Sequence, residues 1–475
     1  MIAPLLLAAL AAGPFVHHPV TTANSQAQAA FDRGLTLLYT YNGDAAYDAF
    51  AQALRSDPKL AMAAWGQAMA AGPDLNTALD ADRFARAQEA AQHAVALEPY
   101  ASAEERSYVD AVARRYAGTF DDRAADGANY VAAMAALANA NPADDDAAML
   151  FAEALMESSG TDRMWEHDGT LPAAQTQTVL SLISRVLAHD PNQMMANHLC
   201  MHAYDYARDR AFALACADRV ASWSFDAQEE HLAHMPAHTY IEAGLYAKAL
   251  SVSETAWRLR EQGAPEKYAA HDAYTGWSAA MMLGDLQVAE AWAIRTGEAY
   301  NGSDLWATWA RFGQWPRIAN SDGKGEFYAP FARGLTDVHF GVMKDAHAML
   351  ALYASNDADY RWILESAVDE REGRIPQAID ALGRALSYQQ HQFGGEMLPL
   401  FPAGELLGAL YYRQGRYSEA KSAFAQTLQT YPNDPRALYG LGLAQQRLGD
   451  TASRSTLKSF EQVWTDPVPP DLAQL

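Results

Sequence analysis

The sequence predicts an all-α repeat array. Leu407-Gly408-x-x-Tyr411 is followed by Gly415, Tyr417, Ala420-x-x-x-Phe424 and Pro432, and Gly442 and Gly449 recur thirty-four residues after Gly408 and Gly415. A fixed period of roughly 20–50 residues marks a chain built by stacking one supersecondary unit. Sustained period-two alternation is absent and Ala, Leu, Gln, Glu and Arg dominate, so strands are not expected. Half of the 475 residues are apolar and 20% are charged, enough apolar surface for a large core.

Taken in chain order, Leu5 to Ala12 reads LLLAALAA, the length of a signal h-region, and small polar residues follow, with Ala27-Gln28-Ala29 as an Ala-x-Ala cleavage site. No Lys or Arg precedes Arg33. Residues 1–29 are therefore expected to be a signal peptide, and the mature chain to be periplasmic or secreted. Residues 30–465 form the array. Its first unit carries Gly34, Ala46-x-x-x-Phe50 and Asp57-Pro58. In the middle, Gly244-Leu245-Tyr246 and Gly284-Asp285 end two helices, and Ala249 and Ala289 begin the small-residue contacts of the next. Regular repeats occupy 403–465. Longer loops near 159–172, 300–330 and 390–403 gather Trp306, Trp309, Trp315 and Pro316, which reads as inserts packed on the array.

These spacings resemble the tetratricopeptide repeat. That resemblance implies antiparallel helix pairs wound into a right-handed α-solenoid with irregular central inserts, whose first helices line a concave groove. The chain further resembles a bacterial family of tetratricopeptide-repeat proteins, a largely uncharacterised exported group. The matching stretches are Phe31-Asp32-Arg33-Gly34-Leu35, Ala63-Ala64-Trp65-Gly66 with Gly72-Pro73-Asp74, Ala152-Glu153-Ala154-Leu155-Met156, His198-x-x-x-His202, His234-Met235-Pro236-Ala237-His238 and Leu438-Tyr439-Gly440-Leu441. The family pattern has Asn where this chain has Asp272, after His271. The resemblance implies architecture and the place of a site, not a reaction.

Six of the fourteen histidines fall between 198 and 271 in a repeating register. His198 and His234 lie fifteen residues before Ala213 and Ala249, and His202 and His238 lie eleven before them. His231 and His271 lie eighteen before Ala249 and Ala289. In stacked helices, equal register brings the six toward one groove, between about residues 190 and 290. At about 100° per residue, His198 and His202 share a face with Asp205, and His231, His234 and His238 share one with Glu242. Imidazoles flanked by carboxylates suit zinc, copper or iron. Asp205, Glu242, Asp272 and Glu153 are the expected supporting or alternative ligands. Cys200 points about 160° from His202 and is expected in the core. Asp226 with Glu229 forms a capping box, but Pro236 either bends that helix or starts a new one.

Asp144-Asp145-Asp146 either projects into the groove or caps a solvated turn. His17-His18 belongs to the leader region, His339 and His347 to the surface, and His167 to an insert closing over the groove. A net charge of −23 and a pI near 4.9 exclude nucleic acid and anionic membranes as partners. Two cysteines make no disulfide framework and no Cys-x-x-Cys site. No nucleophile elbow, phosphate loop or His-Glu-x-x-His motif occurs. The expected function is an exported solenoid binding a transition metal, with a metal-dependent hydrolase or oxidase activity left open. The alternative is a metal-free scaffold that takes a peptide or protein in its concave groove, its histidines pairing with Asp or binding an anion.

Overall fold

A computed structural model describes residues 11–12, 16–166, 169–170, 172–300, 304–324, 328–353, 358–391 and 400–472. Residues 1–10 and 13–15 of the leader region, His167 and most of the 390–403 loop lie outside these residues. The helices fall into two compact units, Met1–Pro236 with Arg258–Pro265, and Ala237–Trp257 with Glu266–Leu475.

The first unit is a run of helix hairpins: α1 Ser25–Tyr39, α2 Gly43–Ser56, α3 Ala61–Ala71, α4 Ala81–Leu97, α5 Ala103–Arg115, α6 Arg123–Ala140, α7 Asp145–Ser159, α8 Ala174–His189, α9 Met194–Tyr204, α10 Ala211–Val220 and the short α11 Glu230–His234. Side-chain caps set several starts. Asn24 accepts from the amides of Gln26 and Ala27, Asn42 from Ala45, and Asp144 from Ala147, each worth about 1 kcal/mol. A full capping box between Ser102 and Glu105 opens α5.

Small residues decide how closely the helices approach. The ring of Phe50 on α2 sits between Gly34 on α1 and Gly66 on α3, and a Cβ at either glycine would meet ring atoms at 2.5 Å. The second unit repeats the device, with Phe424 between Gly408 and Gly440, and Trp292 against Gly276. Its hairpins include Ala269–Leu283 with Leu286–Tyr300, Ala358–Arg371 with Ile375–His391, Ala403–Arg413 with Tyr417–Thr430, and Pro435–Arg447 with Ser453–Val463. The tryptophan-rich stretch expected as an insert contributes two short helices, Leu305–Arg311 and Trp315–Ala319, tied in by Trp277 Nε1 donating to Thr308 at 2.8 Å and Trp309 Nε1 donating to Glu290 at 2.7 Å. The only described strands are two dipeptides, Ala11–Ala12 and Trp223–Ser224, paired in parallel. No described helix is long and apolar enough to cross a membrane.

Residues 16–24 pack as a strap on the first unit: His17 Nδ1 meets Asp32 at 2.8 Å, His18 Nδ1 meets Asp146 at 2.8 Å, Thr21 donates twice to Glu105 at 2.6 Å, and Thr22 donates to Asp57 at 2.6 Å. Ala27 is fully buried within α1. A cut at residues 27–29 would divide that helix and discard the strap, so the expected boundary at residue 29 falls inside folded structure. His17 and His18 help hold this strap on the first unit.

Candidate metal centre

Three of the six register histidines converge in the first unit. His198 and His202 stand one turn apart on α9 and His231 stands on α11. Each offers a ring nitrogen within 4.8 Å of the others, and all three are buried. Ring centroids are 5.0 Å apart for His198–His202, 5.2 Å for His198–His231 and 6.2 Å for His202–His231.

The outer edges of the rings are anchored. Nδ1 of His198 donates to the Tyr39 carbonyl at 2.7 Å, and Nδ1 of His202 lies 3.4 Å from Asp205 Oδ2. These contacts place the proton on Nδ1 and leave the lone pair on Nε2. Nε2 of both His198 and His202 is buried without a hydrogen-bond partner. Leaving one buried polar atom unsatisfied costs about 1–3 kcal/mol, so two beside each other call for an electrophile. Asn76, on the turn after α3, donates its side-chain Nδ2 to His231 Nε2 at 3.2 Å. Burial and the neighbouring His202 push the His198 pKa well down, so this ring is neutral, the form that ligates.

Tyr41 roofs the cluster. Its ring lies 4.4 Å from that of His198 and stacks on His202 and His231 at 6.0 and 5.6 Å. The backbone there is left-handed, with φ +57°. Tyr41 and Asn42 close α1 by donating to the carbonyls of Leu38 and Leu37, a turn that other helices of the chain close with glycine, as at Gly244 and Gly415. A tyrosine held where glycine is preferred costs about 1–2 kcal/mol and marks a position over-determined by its surroundings.

Beyond the Tyr41 ring lies a buried acid pair on α7. Burial and the adjacent Glu157 push the Glu153 carboxyl up to about 8, against the opposing charge of Arg115. Arg115 donates to Glu157 at 2.5 Å and to the Pro73 carbonyl at 3.3 Å, tying α5 and α7 to the turn that carries Asn76. Burial together with Glu153 and Asp74 keeps the Tyr41 hydroxyl protonated. Glu153 is thus a neutral acid beside Tyr41 rather than a member of the histidine group.

Of the six expected histidines, the first-unit group takes His198, His202 and His231. The α11 helix stops at His234 and a new helix, Pro236–Glu242, begins at the proline, the second of the two starts that the sequence allows. The Asp226–Glu229 capping box forms, on a single 3-10 turn ahead of α11. His234 is buried at the end of α11 and stands outside the His198–His202–His231 group. In the second unit, Nε2 of His238 faces Nε2 of His271 at 3.0 Å. Asp205 is buried beside His202. Asp272 is buried next to His271 in sequence, and Glu242 is half-buried at the end of its helix.

Sequence reasoning passed over three features. Tyr41 carried a signal, the missing glycine at a repeat helix end. Cys200 on α9 bonds to Cys216 on α10, so Cys200 is core, as expected, but not free. His18, Asp144 and Asp146 also approach within 4.8 Å, but their atoms are used inside the fold: Tyr39 and Tyr108 donate to Asp146 and Asp144 at 2.7 and 2.6 Å. His339 and His347 are exposed, as expected.

Residues 402–444 match the tetratricopeptide repeat family. That stretch of the chain is a tetratricopeptide repeat. No curated protein matches it. Among solved structures it is similar to a chain of the APC/C hetero-tetramer Cut9–Hcn1 (14% identity over 92% of this chain and 73% of that one, TM-score 0.32). It is also similar to the P58(IPK) TPR domain (15% identity, 90% and 99%, TM-score 0.24) and to a chain of the human IFIT1 dimer with m7Gppp-AAAA (10% identity, 93% and 90%, TM-score 0.33). At these values none bears on function.

Proposed function

We propose that this tetratricopeptide-repeat protein binds one transition-metal ion in its first unit through His198, His202 and His231. The observation that carries the reading is the pair of unpartnered Nε2 atoms, each on a ring fixed from behind and facing the third imidazole. Three imidazole nitrogens suit zinc, copper or iron and leave a coordination position for water or a small ligand. A bound ion there could acidify that water or carry redox chemistry, the hydrolase or oxidase classes expected from the sequence. Tyr41 shields one side of the site. The reading includes export: the Cys200–Cys216 bond, spanning the two ligands' helix and its neighbour, supports an oxidising compartment.

The test is elemental analysis of untagged protein after purification and after dialysis against zinc, copper or iron. One ion per chain is expected, lost in the His198→Ala/His202→Ala double variant with far-UV circular dichroism retained. Metal-free protein that takes up none of the three ions, or uptake indifferent to the double variant, overturns the proposal. That outcome leaves the repeat, which in 402–444 matches a family of helical hairpins, as a scaffold for a peptide or protein partner.

A further inference from the structure

The second unit holds a cavity of about 450 Å³, between the helices Leu305–Arg311, Ala329–Phe340, Ala358–Arg371, Ile375–His391 and Ala403–Arg413. That volume falls in the range of small-molecule sites, roughly 300–1,000 Å³. Its walls are mainly aliphatic, with Leu335, Val338, Ile363, Leu382 and Leu406, and Phe401 closes one side.

The lining is cationic in a chain whose net charge is −23. It includes Arg311, Arg371 and Arg413 against the single carboxylate of Glu370. Arg413 is committed to Glu370 at 2.7 Å, and Arg311 to the buried Glu405 at 3.0 Å. Arg311 nonetheless keeps a buried Nε without a partner. Arg371 is exposed and makes no hydrogen bond or ion pair among the described residues. Beside it, burial and the Arg371 charge lower the His339 pKa, and the imidazole stacks on Trp315 with centroids 5.4 Å apart. An apolar pocket bearing one uncommitted guanidinium selects a ligand with one negative charge and a hydrocarbon body.

We propose that this cavity binds an aliphatic monocarboxylate, its hydrocarbon chain along the Leu335–Ile363–Leu382 wall and its carboxylate on Arg371. The proposal is independent of the histidine site. Titration calorimetry on the full chain with decanoate, below its micellar concentration, and with the neutral decanamide tests it. Decanoate is expected to bind once per chain and decanamide about tenfold more weakly, since a charge-assisted contact is lost. Arg371→Met should bring decanoate down to the amide's affinity and leave the amide unchanged. Ala367→Trp, which fills the cavity, should remove both. Absence of decanoate binding, equal affinity for acid and amide, indifference to Arg371→Met, or binding that survives in folded Ala367→Trp each overturns the proposal. Should Ala367→Trp fail to fold, the Arg371→Met comparison decides alone.

Discussion

Tyr41 carries opposing effects that can be weighed. Its left-handed backbone costs about 1–2 kcal/mol, which glycine would relieve. Its buried ring, removed, costs about 3–5 kcal/mol. The ring wins, so Tyr41→Gly is expected to destabilise the protein by about 2 kcal/mol in urea unfolding and to weaken metal retention. A variant more stable than the parent would show that the ring packs little. Glu153 gives a pH signature with a definite sign. Its folded pKa is raised to about 8 from the ordinary 4.5, so the folded state holds a proton that the unfolded chain gives up first. The associated stability is complete below about 4.5 and drains away as pH rises through 8. Urea midpoints of the parent should fall between pH 5 and pH 8.5, and those of Glu153→Gln should fall less. Parallel slopes in the two proteins would contradict this.

At the scale of helices, glycines of one composition have two roles. Gly66 on α3 is crowded by Phe50, and Gly66→Ala should cost about 1–3 kcal/mol by overpacking. Gly127 on α6 has open space where its Cβ would go, and Gly127→Ala should add about 0.5–1 kcal/mol through helix propensity. Thermal melts of the pair check both signs, and like-signed shifts would reject the steric argument. The same contact explains what was legible. Phe50 and Phe424 each need small residues at fixed distances on either side, so the packing prints itself on the sequence as a period. His198 and His202 were legible because a turn of α9 brings residues four apart onto one face. His231 rather than His234 completing the group was not, because the outcome hangs on where the helix breaks, and both breaks at Pro236 satisfied the local rules. The Cys200–Cys216 bond escaped because pairing depends on how α9 packs on α10.

For the whole molecule, metal binding and folding are linked. An ion that binds only the folded first unit, present at a hundred times its dissociation constant, stabilises by about 2.7 kcal/mol. Chelation of metal-loaded protein should therefore lower the melting temperature while leaving helicity at room temperature in place. A melting temperature unmoved by chelator, on protein shown to hold metal, would place the ion outside the folded unit's stabilising contacts. Division into two units was not read from the sequence, since the repeat motif runs through both without a composition change at residue 236.

The strap has a consequence for the order in which the chain matures. Residues of the strap are bound by residues made well after them: His18 waits for Asp146, and Thr21 for Glu105. Until α5 and α7 are synthesised, the strap lacks the acceptors of Thr21 and His18 and rests on Asp32 and Asp57. Once the carboxylates are in place, the early segment becomes a clasp over helices made well after it. A recombinant chain begun at residue 30 would be born without that clasp, whereas one begun at residue 16 would keep it.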